Sequence, residues 1–193
     1  MTQARTLADF VAGTTTITGN PTFSGTVSGA GGFTQGTKVS PTSGTTVDFT
    51  GIPSDVKVIY IVIDALDMSA AGWELIQLGD SGGFETTGYV SAVDYPGSGN
   101  SFYANTAAEN NGLKLMYNKS TPHSGIVEIM RISSDQTQWA MKSRFHAVAD
   151  SVSYSTYSAV AKTLSGALTQ IRLTSENGSH TFVAGDINIL YST

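Results

Sequence analysis

From Thr45 to the C-terminus no stretch has the three-and-four spacing of an amphipathic helix. Short runs of strand-forming residues follow one another instead, divided by turn residues. The predicted strands are 45–50, 56–64, 73–79, 84–93, 101–105, 112–118, 125–132, 137–147, 151–161, 168–175 and 182–191. Between them fall breakers such as Gly51-Ile52-Pro53, Gly82-Gly83, Pro96-Gly97-Ser98-Gly99, Thr121-Pro122, Gly166 and Asn177-Gly178. Trp139, Met141, Ser143 and Phe145 alternate with Gln138, Lys142, Arg144 and His146, the period of a half-buried strand. The run 56–63 is apolar on both parities after Lys57, which predicts a central strand covered on each side. Composition agrees: 23 Ser, 25 Thr and 21 Gly make more than a third of 193 residues, a mixture poor in helix formers. With 40% hydrophobic content, the chain can still bury a core. The expected fold is all-β, a β-sandwich of jelly-roll-like type.

The first 44 residues read differently. Over 4–12, Leu7, Phe10 and Val11 recur at i, i+3 and i+4, and Gly13 sits at the C-cap position of a two-turn helix. So short a helix does not stand alone, so its stripe must dock on another surface. Residues 13–44 form a Thr/Gly/Ser arm in which Ile17, Phe23, Val27, Phe33 and Val39 are spaced too widely for a core. They suit an extended segment on neighbouring subunits, or else a flexible linker. The expected division is an attachment helix and extended arm over 1–44, and a β-sandwich over 45–193.

Ten Lys+Arg against fifteen Asp+Glu give a net charge of −5, so no basic surplus exists for nucleic acid. Zero cysteine removes disulfides, thiolate catalysis and Cys-based metal sites together. The longest apolar run, Val58 to Ile63, falls far below the ~20 residues that span a bilayer, and no membrane insertion is expected. Met1-Thr2-Gln3-Ala4-Arg5 lacks the apolar core of a secretion signal, which predicts synthesis in a cytoplasm.

Gly79-Asp80-Ser81-Gly82-Gly83 matches the nucleophile segment of chymotrypsin-like proteases and also fits Gly-x-Ser-x-Gly. A serine nucleophile needs a base and an orienting acid. No histidine precedes Ser81; His123, His146 and His180 all follow it. The order Ser81, Asp150, His180 suits an α/β-hydrolase, whose alternating long helices this sequence lacks. The motif therefore reads as a strand end followed by a turn. The three histidines share no metal-ligand spacing, and His146 sits at the polar parity of its strand. Asp64 and Asp67 are expected to cap the turn after the apolar strand. Gly29-Ala30-Gly31-Gly32 precedes no helix and makes no phosphate nest. No cofactor or metal is expected. A glycan-degrading enzyme needs paired carboxylates, and none can be nominated. Aromatic rings beside amides and hydroxyls suit sugar binding, which marks Tyr95, Phe102, Tyr103, Asn105 and Asn110 as candidate contact residues in the stretch 94–111.

Several segments together resemble structural proteins of tailed bacteriophages, particularly C-terminal domains of tail fibres and related appendages. They are Ser43-Gly44-Thr45-Thr46-Val47-Asp48-Phe49-Thr50-Gly51-Ile52-Pro53, Val56-Lys57-Val58-Ile59-Tyr60, and Leu75 to Tyr89 with the Gly79–Gly83 motif inside it. The ending Phe182-Val183-Ala184-Gly185-Asp186-Ile187-Asn188-Ile189-Leu190-Tyr191 and the opening Thr2 to Phe10 belong to the same likeness. The resemblance implies a non-enzymatic virion component, an oligomeric β-sandwich that forms a homotrimer. On that reading Leu7, Phe10 and Val11 attach it to other virion proteins, and the C-terminal domain contacts a host cell-surface glycan or protein. The alternative within the same class is a capsid decoration or head-fibre protein. The turn reading of residues 79–83 makes a direct prediction: a serine-directed fluorophosphonate leaves the chain unlabelled. Stoichiometric labelling at Ser81 would make it a nucleophile.

Overall fold

Period-two alternation gives every strand one apolar face, and two sheets can hide those faces on one another. A computed structural model describes residues 32–96, 102–105, 111–118, 121–149 and 152–193, in which thirteen strands and no helix occur. Eight strands form one antiparallel sheet in the order β1 (Phe33–Gln35), β13 (Phe182–Ser192), β3 (Val58–Met68), β9 (His123–Arg131), β10 (Gln138–Ala149), β11 (Val152–Thr163), β6 (Val90–Pro96) and β7 (Phe102–Asn105). The second antiparallel sheet runs β2 (Thr46–Thr50), β12 (Gln170–Ser175) and β4 (Gly72–Asp80), with β5 (Gly83–Phe84) and β8 (Leu113–Asn118) both paired to β4.

One apolar cluster draws on both sheets. Ile59, Ile61 and Ile63 of β3, Val127 and Ile129 of β9, and Trp139, Met141 and Phe145 of β10 enter it from the larger sheet. Val47 and Phe49 of β2, Ile171 and Leu173 of β12, and Ile76 and Leu78 of β4 enter it from the smaller one. The parity expected for 137–147 is the parity observed: Trp139, Met141, Ser143 and Phe145 are buried while Lys142, Arg144 and His146 are exposed.

Three local expectations change. The run 56–63 is central in its sheet, but among the described residues only one face is fully covered; Val62 stays 40% exposed. The strand buried at nearly every position is β4 instead, from Trp73 to Asp80. Asp64 and Asp67 do not flank a turn, because β3 continues past them through a bulge between Ile63 and Leu66 where Ala65 takes φ 49°. Asp64 accepts the Ser124 hydroxyl and Asp67 accepts the Met68 N–H instead. The strand predicted at 84–93 is divided into β5 and β6, since residues 85–89 carry the chain from one sheet to the other.

The compact unit holding all these strands is Gly31–Thr193. β1 lies along β13, Gly36 N–H donates to the Ile189 carbonyl at 2.7 Å, and Val39 and Ile187 exchange hydrogen bonds at 2.8 Å. A strand can join an edge through its backbone alone, which is why a stretch without an apolar run sits there. Leu7, Phe10, Val11 and the helix expected over 4–12 lie outside the described residues. No helix among the described residues is long and apolar enough to cross a membrane.

Ile61 is fully buried at the centre of the cluster. Ile61→Ala should cost about 2–5 kcal/mol of unfolding free energy, read by urea denaturation, because the cavity cannot close between two hydrogen-bonded sheets.

Candidate binding surface

The Gly79–Gly83 segment closes β4 and opens β5. Gly83 adopts φ +126°, and a Cβ on Gly79 would lie 2.6 Å from the Gly83 carbonyl oxygen, so both glycines serve the tight reversal. Asp80 accepts the Gly82 N–H at 2.7 Å and the Ser165 hydroxyl at 2.7 Å. Ser165 and the Gly82 amide hold the Asp80 carboxyl below the usual carboxylate range. Ser81 is exposed on the turn. Asp80 thus joins this turn to the loop after β11.

Beside it, Lys162 Nζ lies 2.5 Å from Glu85 Oε2, donates to the Thr87 carbonyl at 2.8 Å, and sits 5.1 Å from the Tyr89 ring centroid. The Ser165 N–H donates to Glu85 Oε1 at 2.6 Å. Burial pushes Glu85 up, but Lys162 and Ser165 outweigh it and hold the carboxyl below its ordinary value. The Tyr89 hydroxyl accepts the Leu78 N–H at 2.7 Å and donates to the Glu85 carbonyl at 2.9 Å, and burial raises its pKa. These contacts clamp the crossing segment 80–89. The acid, hydroxyl and lysine near the motif are all spent on holding the backbone.

The histidines are dispersed. His146 is exposed on β10, as its parity predicted. His180 lies 2.7 Å from Asn177 Nδ2 in the turn before β13. Asp150 lies outside the described residues. His123 of β9 is buried against Glu74 of β4, Nε2 to Oε2 2.5 Å, with neither side chain accessible, and its ring meets Phe145 edge-on at 5.9 Å. This pair links the two sheets. Nothing in the sequence announced it, since the partners are 49 positions apart. Among the described residues no group of three or more His, Cys, Asp and Glu could hold a metal ion.

The open ground lies on the outer face of the eight-stranded sheet. A shallow groove of about 430 Å³ crosses β6, β9, β10 and β11 and is lined by Asp94, Ile126, Glu128, Lys142, Arg144 and Tyr157, among others. Register places Val62, Ile126, Arg144, Tyr157 and Asp94 in one row across five strands. The next row holds Tyr60, Glu128, Lys142, Ala159 and Ala92. Lys142 Nζ pairs with Glu128 Oε2 at 3.0 Å, and the Arg144 guanidinium lies 5.3 Å from the Tyr157 ring centroid. Such a surface offers an aromatic ring, small flat residues and both signs of charge. It can bind; it presents no nucleophile with a base. Sequence parity had set Lys142 and Arg144 outward, but only the register shows them meeting Ile126 and Tyr157.

Of the contact residues expected from sequence, four lie on the hairpin at the end of this sheet. Tyr95 is opposite Tyr103, Pro96 opposite Phe102, and Val93 opposite Asn105. Asn110 lies outside the described residues. No protein-family model, curated protein or solved structure matches the chain.

Both ring nitrogens of His123 face acceptors, Glu74 Oε2 and the Thr121 carbonyl at 3.3 Å. Burial alone would lower its pKa, but the hydrogen bond and charge of Glu74, aided by Thr121 and Asp67, raise it above the ordinary value. A raised folded-state pKa stabilises fully below the unfolded value of about 6.5 and is lost as pH climbs through the folded one. The wild type should therefore lose stability relative to His123→Gln as pH rises above neutral. Melting midpoints of both proteins across that range test it, and parallel pH curves would refute it.

Proposed function

We propose that this chain is a structural component of a tailed-bacteriophage virion, of tail-fibre or adhesin type. Its body is a jelly-roll-like β-sandwich that works as a homotrimer. The N-terminal segment bearing Leu7, Phe10 and Val11 docks it on other virion proteins, and the far side meets a host cell-surface glycan or protein. The observation that carries this reading is the order of the larger sheet. The first described strand, β1, forms one edge, and the hairpin bearing Tyr95, Phe102, Tyr103 and Asn105 forms the opposite one. Seven inter-strand spacings at about 4.8 Å put roughly 34 Å between the two edges. A spacer with attachment at one edge and contact at the other is what an adhesin requires.

The sequence likeness supports the same reading, because its segments fall on framework rather than on chemistry. Residues 43–53 make β2 and its flanks, 75–89 make β4, the turn and the clamped crossing, and 182–191 make β13. The Asp and Ser that suggest a nucleophile lie in the turn that this framework uses.

Replacing Tyr95 and Tyr103 together by Ala should lower host adsorption about tenfold while the protein still assembles on the particle, one lost aromatic contact contributing on the order of 1.4 kcal/mol. Unchanged adsorption by assembled particles would reject the adhesin role and favour capsid decoration. Deleting residues 1–12 should abolish incorporation, measured by immunoblot of purified particles. Truncated protein retained on particles would refute the anchor.

A further inference from the structure

The outer face of the larger sheet carries exposed apolar side chains among its charges. Val62, Ile126 and Tyr157 stand in one register row, 40%, 46% and 44% exposed, with Ala159 and Ala92 beside them. Single exposed apolar side chains are ordinary; several gathered on one sheet face mark a contact. The sequence points the same way, because 58–63 is apolar on both parities and only one parity is fully buried among the described residues.

Charge selects the occupant. Arg144 and Asp94 flank Tyr157 in the same row. Among the described residues neither has an ion-pair partner, and Arg144 touches only the Tyr157 ring by charge. They sit two strand spacings apart, about 10 Å, which is too far for a salt bridge. A rotation axis parallel to the strands and passing over Tyr157 brings Arg144 of one copy to the Asp94 side of the next. A two-fold rotation about such an axis makes the contact self-complementary.

We propose that this face is a self-association surface: a second copy of the chain covers Ile126, Tyr157, Ala159 and Ala92, and Arg144 of each copy pairs with Asp94 of its neighbour. About that axis β9, β10, β11, β6 and β7 of one copy lie over β7, β6, β11, β10 and β9 of the other, four strand spacings or about 19 Å across. The inference rests on this face alone and stands whether or not the protein belongs to a virion.

Sedimentation of the full chain decides it. The wild type should run as a multiple of the chain mass. Ala159→Glu, at an exposed position that leaves the fold intact by circular dichroism, should run as a monomer. Asp94→Arg and Arg144→Asp should each weaken association about tenfold or more, and the double variant should restore it. A monomeric wild type overturns the proposal, as does a multimer that Ala159→Glu leaves unchanged. A double variant no better than the single ones overturns the Arg144–Asp94 pairing. A monomeric wild type whose host adsorption is lost on Ala159→Glu would make a host ligand the occupant, also against the proposal.

Discussion

Two antiparallel sheets must bury their inner faces on each other, with no disulfide available to either. Each fully buried Ile, Leu or Phe contributes on the order of 1.5–3 kcal/mol, so the stability of this chain rests on one shared layer of side chains. That layer fixes the rest. Strand parity cannot slip by one residue without turning Ile59, Ile61 and Ile63 to solvent and Tyr60 and Val62 inward. Register then determines which outward residues become neighbours. The row from Val62 to Asp94 exists because the inner layer holds five strands in step.

The buried lysines and the buried histidine among the described residues are each paired with a carboxylate. Glu74 and His123 answer each other across the sheets, Lys162 meets Glu85 and the Thr87 carbonyl, and Lys114 meets Glu176 at 3.0 Å with its ammonium 5.2 Å from the Trp73 centroid. Removing one member of such a pair leaves a charge without compensation, which costs more than the pair contributes. Of these pairs Glu74–His123 joins strands of the two sheets, β4 and β9. Around residues 80–89, Asp80, Glu85 and Tyr89 hold an irregular crossing that apolar packing alone would leave undetermined.

The strand ladder was legible because its signals are local. Alternation at 138–147 and turn residues at Gly51, Gly82 and Asn177 mark elements without reference to the rest of the chain. Three features were not legible, each for a non-local reason. Gly88 at φ +78° and the Tyr89 hydroxyl bonds split the run 84–93, but the bonds depend on Leu78 and Glu85 being near. The bulge at Ala65 depends on pairing with β9, not on its own residue type. The binding surface depends on cross-strand register, so Arg144 and Tyr157, thirteen positions apart in sequence, declare themselves as neighbours only when β10 and β11 are laid together. The Gly79–Gly83 motif is the converse. Its letters suggested chemistry, and its glycines prove to be required by the reversal itself.

The two sheets manage their open borders differently, and the difference bears on where contact can occur. In the smaller sheet β5 is only two residues long, and on the β2 side Arg172 holds Asp48 through two hydrogen bonds of 2.7 Å while its guanidinium lies 4.0 Å from the Phe84 centroid. A short or charged edge resists strand addition. In the larger sheet, the Lys38–Asp186 pair at 2.8 Å stands at the β1 border, where β1 itself has three residues. Edge-to-edge growth is thus discouraged on these three borders by length or charge. With only 13% of its residues charged, the chain places a large share of its ion pairs at edges and between sheets. On the broad outer face Lys142 pairs with Glu128, while Arg144 and Asp94 have no ion-pair partner among the described residues. The outer face, the β6–β7 hairpin and the side of β8 away from β4 are the surfaces such an arrangement leaves open among the described strands.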